Sequence, residues 1–190
     1  MKGRIVALDT HAGRPAAALI EDGVLLDFLI DSATDDPLQP GAILRGVVDR
    51  PMKGQGGVFV KLPGGMGFLR QVSGLAPAQK VIVQVSGATE PGKAVPVTLR
   101  VLFKSRLAIV TPDAPGLNIS RRIRDEDVRT GLQALATTAM AGATAGHGLI
   151  VRSAAETAED DEIVQDIGTM RDLAAAVMAD LDGGPELLVE

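Results

Sequence analysis

The chemistry in this sequence is concentrated in two phenylalanines and in one arginine followed by a serine. Phe59 stands in the run Gly-Gly-Val-Phe-Val-Lys and Phe68 in Gly-Met-Gly-Phe-Leu-Arg. The chain has four Phe and no Trp or Tyr in 190 residues, so each ring calls for an explanation. A ring exposed on a strand stacks a nucleobase of any type, worth about 1–3 kcal/mol, and surrounding Lys and Arg neutralise phosphates. The alternative is that both rings fill a core. Alternation sets Phe59 opposite Val58 and Val60, so one of the two faces has to look outward. The other constellation is Arg152-Ser153, which closes the apolar run Gly148-Leu-Ile-Val just before an expected helix start. A guanidinium grips a phosphate bidentately. The hydroxyl adds a donor, and free helix amides add partial positive charge. Against this stands a plain ion pair between Arg152 and an acid of the Glu156–Glu162 cluster.

Other charged residues are weaker signals. Lys53 lies in the loop Arg50-Pro-Met-Lys53-Gly-Gln-Gly and Lys93 in Glu-Pro-Gly-Lys. Each offers a mobile cation on a flexible backbone, and each alone reads equally as a solvated hairpin loop. Asn118-Ile-Ser-Arg121-Arg122-Ile is a second arginine motif. His11 and His147 lack ligand patterns nearby and read as structural or surface groups. The acids of Glu156–Glu162 read as a solvated helix start favoured by the helix dipole, not as a metal cluster. The absence of Cys excludes disulfides, thiolate zinc sites and cysteine nucleophiles.

Charge separates the segments that must carry these residues. The whole chain is acidic, at −5. Residues 38–106, however, hold ten Lys or Arg against Asp49 and Glu90 alone. That local excess is the footprint of a nucleic-acid surface that the net value hides. Both flanking segments are acidic.

The pattern of elements is equally segmented. Arg4–Leu8, Ala16–Ile20 and Val24–Ile30 read as strands, with Glu21-Asp22-Gly23 as a hairpin turn. Residues 31–40 are polar and Pro-punctuated and read as a linker. Ala42–Val48, Gly57–Lys61, Gly67–Leu69, Lys80–Ser86 and Val95–Phe103 read as five short strands, which predicts a small closed barrel. Leu107–Val110 is a further strand, ended by Thr-Pro-Asp-Ala-Pro-Gly. Asp125–Met140 and Glu156–Leu181 show helical spacing. His147–Ala154 and Glu186–Val189 complete a helix-strand-helix-strand layer. The fold class expected is α+β. It places a five-stranded OB-type barrel after a small β-hairpin and a small α/β module after the barrel. The first hairpin is too small to bury its own face, and the last strand runs to Glu190. Both point to a longer parent chain. No signal-peptide pattern or membrane span of about 18 apolar residues is present, which predicts a soluble, cytoplasmic protein.

In this order the segments resemble the N-terminal part of the ribonuclease E/G endoribonucleases. The specific pieces are Leu107-Ala-Ile-Val-Thr-Pro, Ile119-Ser-Arg-Arg-Ile and Gly148-Leu-Ile-Val-Arg-Ser-Ala before an acidic helix. Val58-Phe-Val, Gly67-Phe-Leu and Val81-Ile-Val-Gln-Val support them. The resemblance implies that residues 1–37 are strands of a split ribonuclease-H-like subdomain. It makes residues 38–98 an S-one-type RNA-binding barrel and residues 99–190 a 5′-sensor. It places Phe59, Phe68 and Lys93 on single-stranded RNA, and Lys53 of the basic loop is a further RNA-binding candidate. Arg152 and Ser153 match the family's phosphate-binding Arg–Thr pair, with Lys104 and Arg121 beside them. Lys104 and Ala108 stand where the family has a Gly and a Val. The partner implied is single-stranded RNA with a 5′-monophosphate, in RNA processing and mRNA decay, with no membrane. Any homo-oligomer would form through regions this chain lacks. The family cleaves with Mg²⁺ held by aspartates of a later nuclease subdomain, followed by a Cys-x-x-Cys zinc link. Neither is present here, so the expectation is binding without cleavage, no cofactor in this chain, and Mg²⁺ only for the full-length family enzyme. The alternative is a stand-alone, non-catalytic RNA-binding adaptor or competitor.

Overall fold

A computed structural model describes residues 3–31, 38–52, 56–88, 90 and 92–190. The first strands are β1 (Arg4–His11), β2 (Arg14–Glu21) and β3 (Val24–Ile30), an antiparallel meander in that order. Ala12 and Gly13 take φ of 51° and 79°, and Asp22 and Gly23 take 50° and 85°. Two successive positive φ values give a type I′ turn, whose twist matches the strands it joins. Among the described residues the sheet is covered on neither face. On one face Leu8 is 78% exposed and Leu29 68%, and on the other Phe28 is 47% exposed. Three strands alone cannot bury both faces.

The barrel follows. Its strands are β4 (Ile43–Met52), β5 (Gly57–Leu62), β6 (Gly65–Arg70), β7 (Lys80–Val85) and β8 (Val95–Thr98). They run in the order β4-β5-β6-β8-β7, and β4–β7 pairing closes the ring. Only β6–β8 is parallel. The first half of β4 pairs with β7 and the second with β5, with a bulge between Val48 and Pro51. Closure leaves no free barrel edge. Alternate residues point inward, so Leu44, Val48, Val58, Val60, Leu69, Val81, Val83 and Val97 share one core. The OB-type α+β architecture read from the sequence is the one observed.

The α/β module has strands β9 (Phe103–Lys104), β10 (Ala108–Thr111), β11 (Gly116–Ile119) and β12 (Gly148–Val151). They form a sheet in the order β11-β12-β10-β9. Helices α1 (Glu126–Ala139) and α2 (Asp160–Ala179) lie on one face of it. Phe103, Val110, Leu149 and Val151 meet Leu132, Ala136, Ile163 and Ile167 in this second core. Asp125 caps α1 by accepting the Asp127 and Val128 amides at 2.9 and 3.1 Å. Arg171 on α2 donates to the Ala139 and Ala141 carbonyls at 2.7 and 3.0 Å, answering the negative end of α1. The same guanidinium holds the Asp172 carboxyl below the usual carboxylate range, chiefly through their hydrogen bond.

The two cores meet across the outer wall of β4 and β7. Ile43 and Ile82 leave the barrel and join the module's core. Burying side chains of this size contributes about 1.5–3 kcal/mol each. Between them sit two buried polar residues. Gln84 donates to the Gly41 and Leu102 carbonyls and accepts the Leu102 amide, at 2.8, 3.2 and 3.0 Å. Arg45, with its side chain 4% exposed, bonds the Asp180 carboxylate at 2.5 Å, the Glu186 carboxylate, and the Gly184 carbonyl at 2.9 Å. Gly183 has φ of 120°, and a Cβ there would sit 2.7 Å from Arg45 Nη2. Only glycine fits that turn.

Several expectations are corrected. Glu186–Val189 is a strand, β13, but it pairs with β4 of the barrel instead of extending the module. Val95–Phe103 is not one strand; it breaks after Thr98, and Phe103 enters the module sheet. The chain after Thr-Pro-Asp-Ala-Pro pairs as β11, parallel to β12. The run His147–Ala154 narrows to β12. The long helix begins at Asp160, and Ser153–Thr157 is only a 3-10 turn. Among the described residues no helix is long and apolar enough to cross a membrane.

Candidate nucleic-acid interface

Phe59 and Phe68 are directly opposite each other on β5 and β6. Their neighbours Val58, Val60 and Leu69 fill the barrel, at 4%, 0% and 1% exposure. Strand alternation therefore turns both rings outward. The ring centroids are 5.2 Å apart with a 48° tilt. Arg50, 74% exposed, places its guanidinium carbon 5.5 Å from the Phe59 centroid. Exposed cation–π contacts of this kind contribute about 0.5–1 kcal/mol. Gly57 makes room for the second ring, because a Cβ there would collide with Phe68 and lie 2.8 Å from the Leu69 carbonyl. Beside Phe59 runs an open groove of about 410 Å³, with Arg50, Gly64, Gly65, Met66 and Lys93 along it. Lys93 is exposed and pairs with Glu90 at 2.5 Å. Lys53 lies outside the described residues.

The cationic excess of the barrel is smaller in space than in sequence. Arg45 is consumed at the junction, and Arg106 pairs with Glu162 of α2 at 2.6 Å. Lys61 pairs with Asp49 at 3.2 Å. Lys80 faces Asp182 at 3.9 Å. The acidic module thus neutralises part of the basic segment that precedes it.

The second constellation forms at one end of the module sheet. Val151 ends β12, and its carbonyl accepts the Ser120 amide at 2.9 Å. Arg121 is the next residue and is exposed. The Arg152 amide donates to Leu107 O at 2.8 Å. The Arg152 guanidinium, itself exposed, donates from Nη1 to the Ser105 carbonyl. Among the described residues no carboxylate pairs with Arg152, and the acids of Glu156–Glu162 do not capture it. Arg152, Ser153 and Arg121 thus come together at the ends of neighbouring strands. Lys104 is also exposed, but it borders a groove of about 450 Å³ at the barrel–module junction, with Gln84, Phe103 and Met170. The helix amides expected after Ser153 belong to a five-residue 3-10 turn, too short to carry a helix dipole of consequence.

Residues absent from the sequence reading complete this end. Asp166 of α2 accepts the Ser105 hydroxyl and, at 3.2 Å, the Leu107 amide. Nothing local flags the Ser105–Asp166 bond, which spans 61 positions. His147 carries a buried Nδ1 without a hydrogen-bond partner, at the opposite end of β12. Among the described residues no three His, Cys, Asp or Glu side chains gather to hold a metal ion.

The family model described as "Ribonuclease E/G family" matches residues 103–190. A relative named "Ribonuclease E", from Nostoc sp. (strain PCC 7120), is 32% identical over 150 residues, covering 70% of this chain and 21% of that protein. A second "Ribonuclease E", from Synechocystis sp. (strain PCC 6803), is 34% identical over 97 residues, covering 51% and 14%. The chain spans about a fifth or less of the length of these relatives.

Proposed function

With its residues 103–190 this chain belongs to the ribonuclease E/G family, and from that premise we propose that it binds single-stranded RNA and reads the RNA 5′ end in cytoplasmic RNA processing and decay. One observation carries the reading. Phe59 and Phe68 form an outward pair on a wall whose inward residues fill the core. Two adjacent rings give successive bases a stacking platform that tolerates any sequence. Arg50 beside Phe59 and the groove leading to Lys93 supply cations for the backbone.

The end-reading part rests on Arg152. It is exposed, oriented by a carbonyl and, among the described residues, free of carboxylates, so its remaining N–H groups are available to a terminal phosphate. Ser153 adds a hydroxyl, and Arg121 a second cation. In this division the barrel supplies affinity and the module supplies preference for a 5′-monophosphate. Arg45 and Gln84 hold the two at a fixed orientation.

The test is equilibrium binding of a single-stranded oligoribonucleotide across a salt series. Affinity should fall steeply with salt. A base-paired version of the same RNA should bind less tightly, because its bases are unavailable for stacking. Equal affinity for the two forms would contradict the stacking role.

A further inference from the structure

The geometry points to Asp166 as the residue that positions Arg152 for a terminal phosphate, acting through the Lys104–Leu107 turn; this rests on the end-reading role proposed above. Asp166 Oδ2 accepts the Ser105 hydroxyl and, at 3.2 Å, the Leu107 amide. Those same two residues hold the arginine. The Ser105 carbonyl accepts from Arg152 Nη1, and the Leu107 carbonyl accepts the Arg152 amide at 2.8 Å. Between them Arg106 pairs with Glu162 at 2.6 Å, one helical turn before Asp166. Helix α2 thus grips three consecutive residues of the turn, and the turn grips Arg152.

This arrangement solves a conflict in anion recognition. A carboxylate bonded directly to Arg152 would orient it but cancel its charge. A carbonyl orients it and leaves the charge intact. The carboxylate is displaced by one step, onto the turn, where a hydroxyl and an amide answer its own charge. A guanidinium has five N–H groups. With one fixed on Ser105, a fork remains for two phosphate oxygens.

Charge alone and positioning predict opposite signs. A carboxylate near an anion site repels the anion, so removing Asp166 should tighten phosphate binding on Coulomb grounds. Positioning requires the reverse. The experiment measures binding of a 5′-monophosphorylated oligoribonucleotide and its 5′-hydroxyl twin to the full chain and to its variants. Asp166→Asn is expected to lower the monophosphate-to-hydroxyl affinity ratio by about fivefold, with hydroxyl-RNA binding unchanged. Ser105→Ala, which removes the gripped hydroxyl but keeps the carbonyl, should lower the ratio in the same direction. In an Arg152→Ala background, Asp166→Asn should change neither affinity. An unchanged or raised ratio in Asp166→Asn, where Arg152→Ala abolishes the preference, overturns the inference alone. If the unaltered chain shows no preference, the end-reading role itself falls. Should Asp166→Asn fail to fold, Ser105→Ala decides, and an unchanged ratio there is the overturning result.

Discussion

The barrel wall and the Arg152 edge treat their cations in opposite ways. On the barrel, Lys61 and Lys93 have carboxylate partners close by, at 3.2 and 2.5 Å. What stands open is a pair of rings. At the edge the arginine is the open group, held by the Ser105 carbonyl, while the Asp166 carboxylate bonds the turn instead of the arginine. The first surface suits bases and the second suits a terminal charge. A cation's count in sequence therefore says little about its use. Arg45, Arg50 and Arg106 all belong to one basic segment. One is buried at the junction, one lies over a ring and one is tied to α2.

Variants probe this contrast, and the largest effect is expected at the buried Arg45. Arg45→Ala leaves Asp180 and Glu186 without their partner and opens space at the junction. Both carboxylates are half exposed, so the expected cost is about 2–4 kcal/mol, below a fully buried charge cluster. Thermal unfolding measures it, and a loss near zero would mean the junction does not depend on the clamp. On the barrel wall, Phe59→Ala should weaken RNA by about 1–3 kcal/mol whatever its 5′ group. A loss confined to one 5′ form would erase the distinction between the two surfaces.

Smaller effects are expected at two exposed ion pairs. Glu90→Gln frees Lys93 from an exposed ion pair, whose strength is at most about 1 kcal/mol. RNA affinity should rise slightly, with a steeper salt dependence; a fall would place Glu90 on the RNA. The smallest effect concerns Asp172, whose carboxyl Arg171 holds below the ordinary range. A depressed carboxylate stabilises the fold above its unfolded pKa, and that contribution fades as pH drops toward its folded value. Asp172→Asn should therefore flatten the acid limb of the stability profile without touching RNA binding.

Much of the barrel was legible in sequence because strand alternation is a local code. Val58, Phe59 and Val60 announce two faces, and the positive-φ Asp22-Gly23 turn announces a hairpin. Helical spacing is local too, so Asp125–Met140 was legible, and Asp125 proves to be the cap of α1. Most of the losses were long-range. Nothing near Glu186 says that its strand will pair with Arg45, 141 positions away. The short strand at Phe103 is defined only by the sheet it joins. The helix at Asp160 starts later than its acids suggest, because Ser153–Thr157 tightens into a 3-10 turn first. At the edge, Arg152 and Ser153 stood out by type and spacing. Ser105 and Asp166 did not, since a serine and an acid on a helix are ordinary until folding brings them together.

The most direct test of this division of labour compares 5′-monophosphorylated and 5′-hydroxyl RNA on the unaltered chain and on Arg152→Ala. The prediction is a preference for the monophosphate that Arg152→Ala removes, with hydroxyl-RNA affinity preserved by the barrel. Equal binding of the two RNAs by the unaltered chain, or a preference that survives the loss of Arg152, would contradict it.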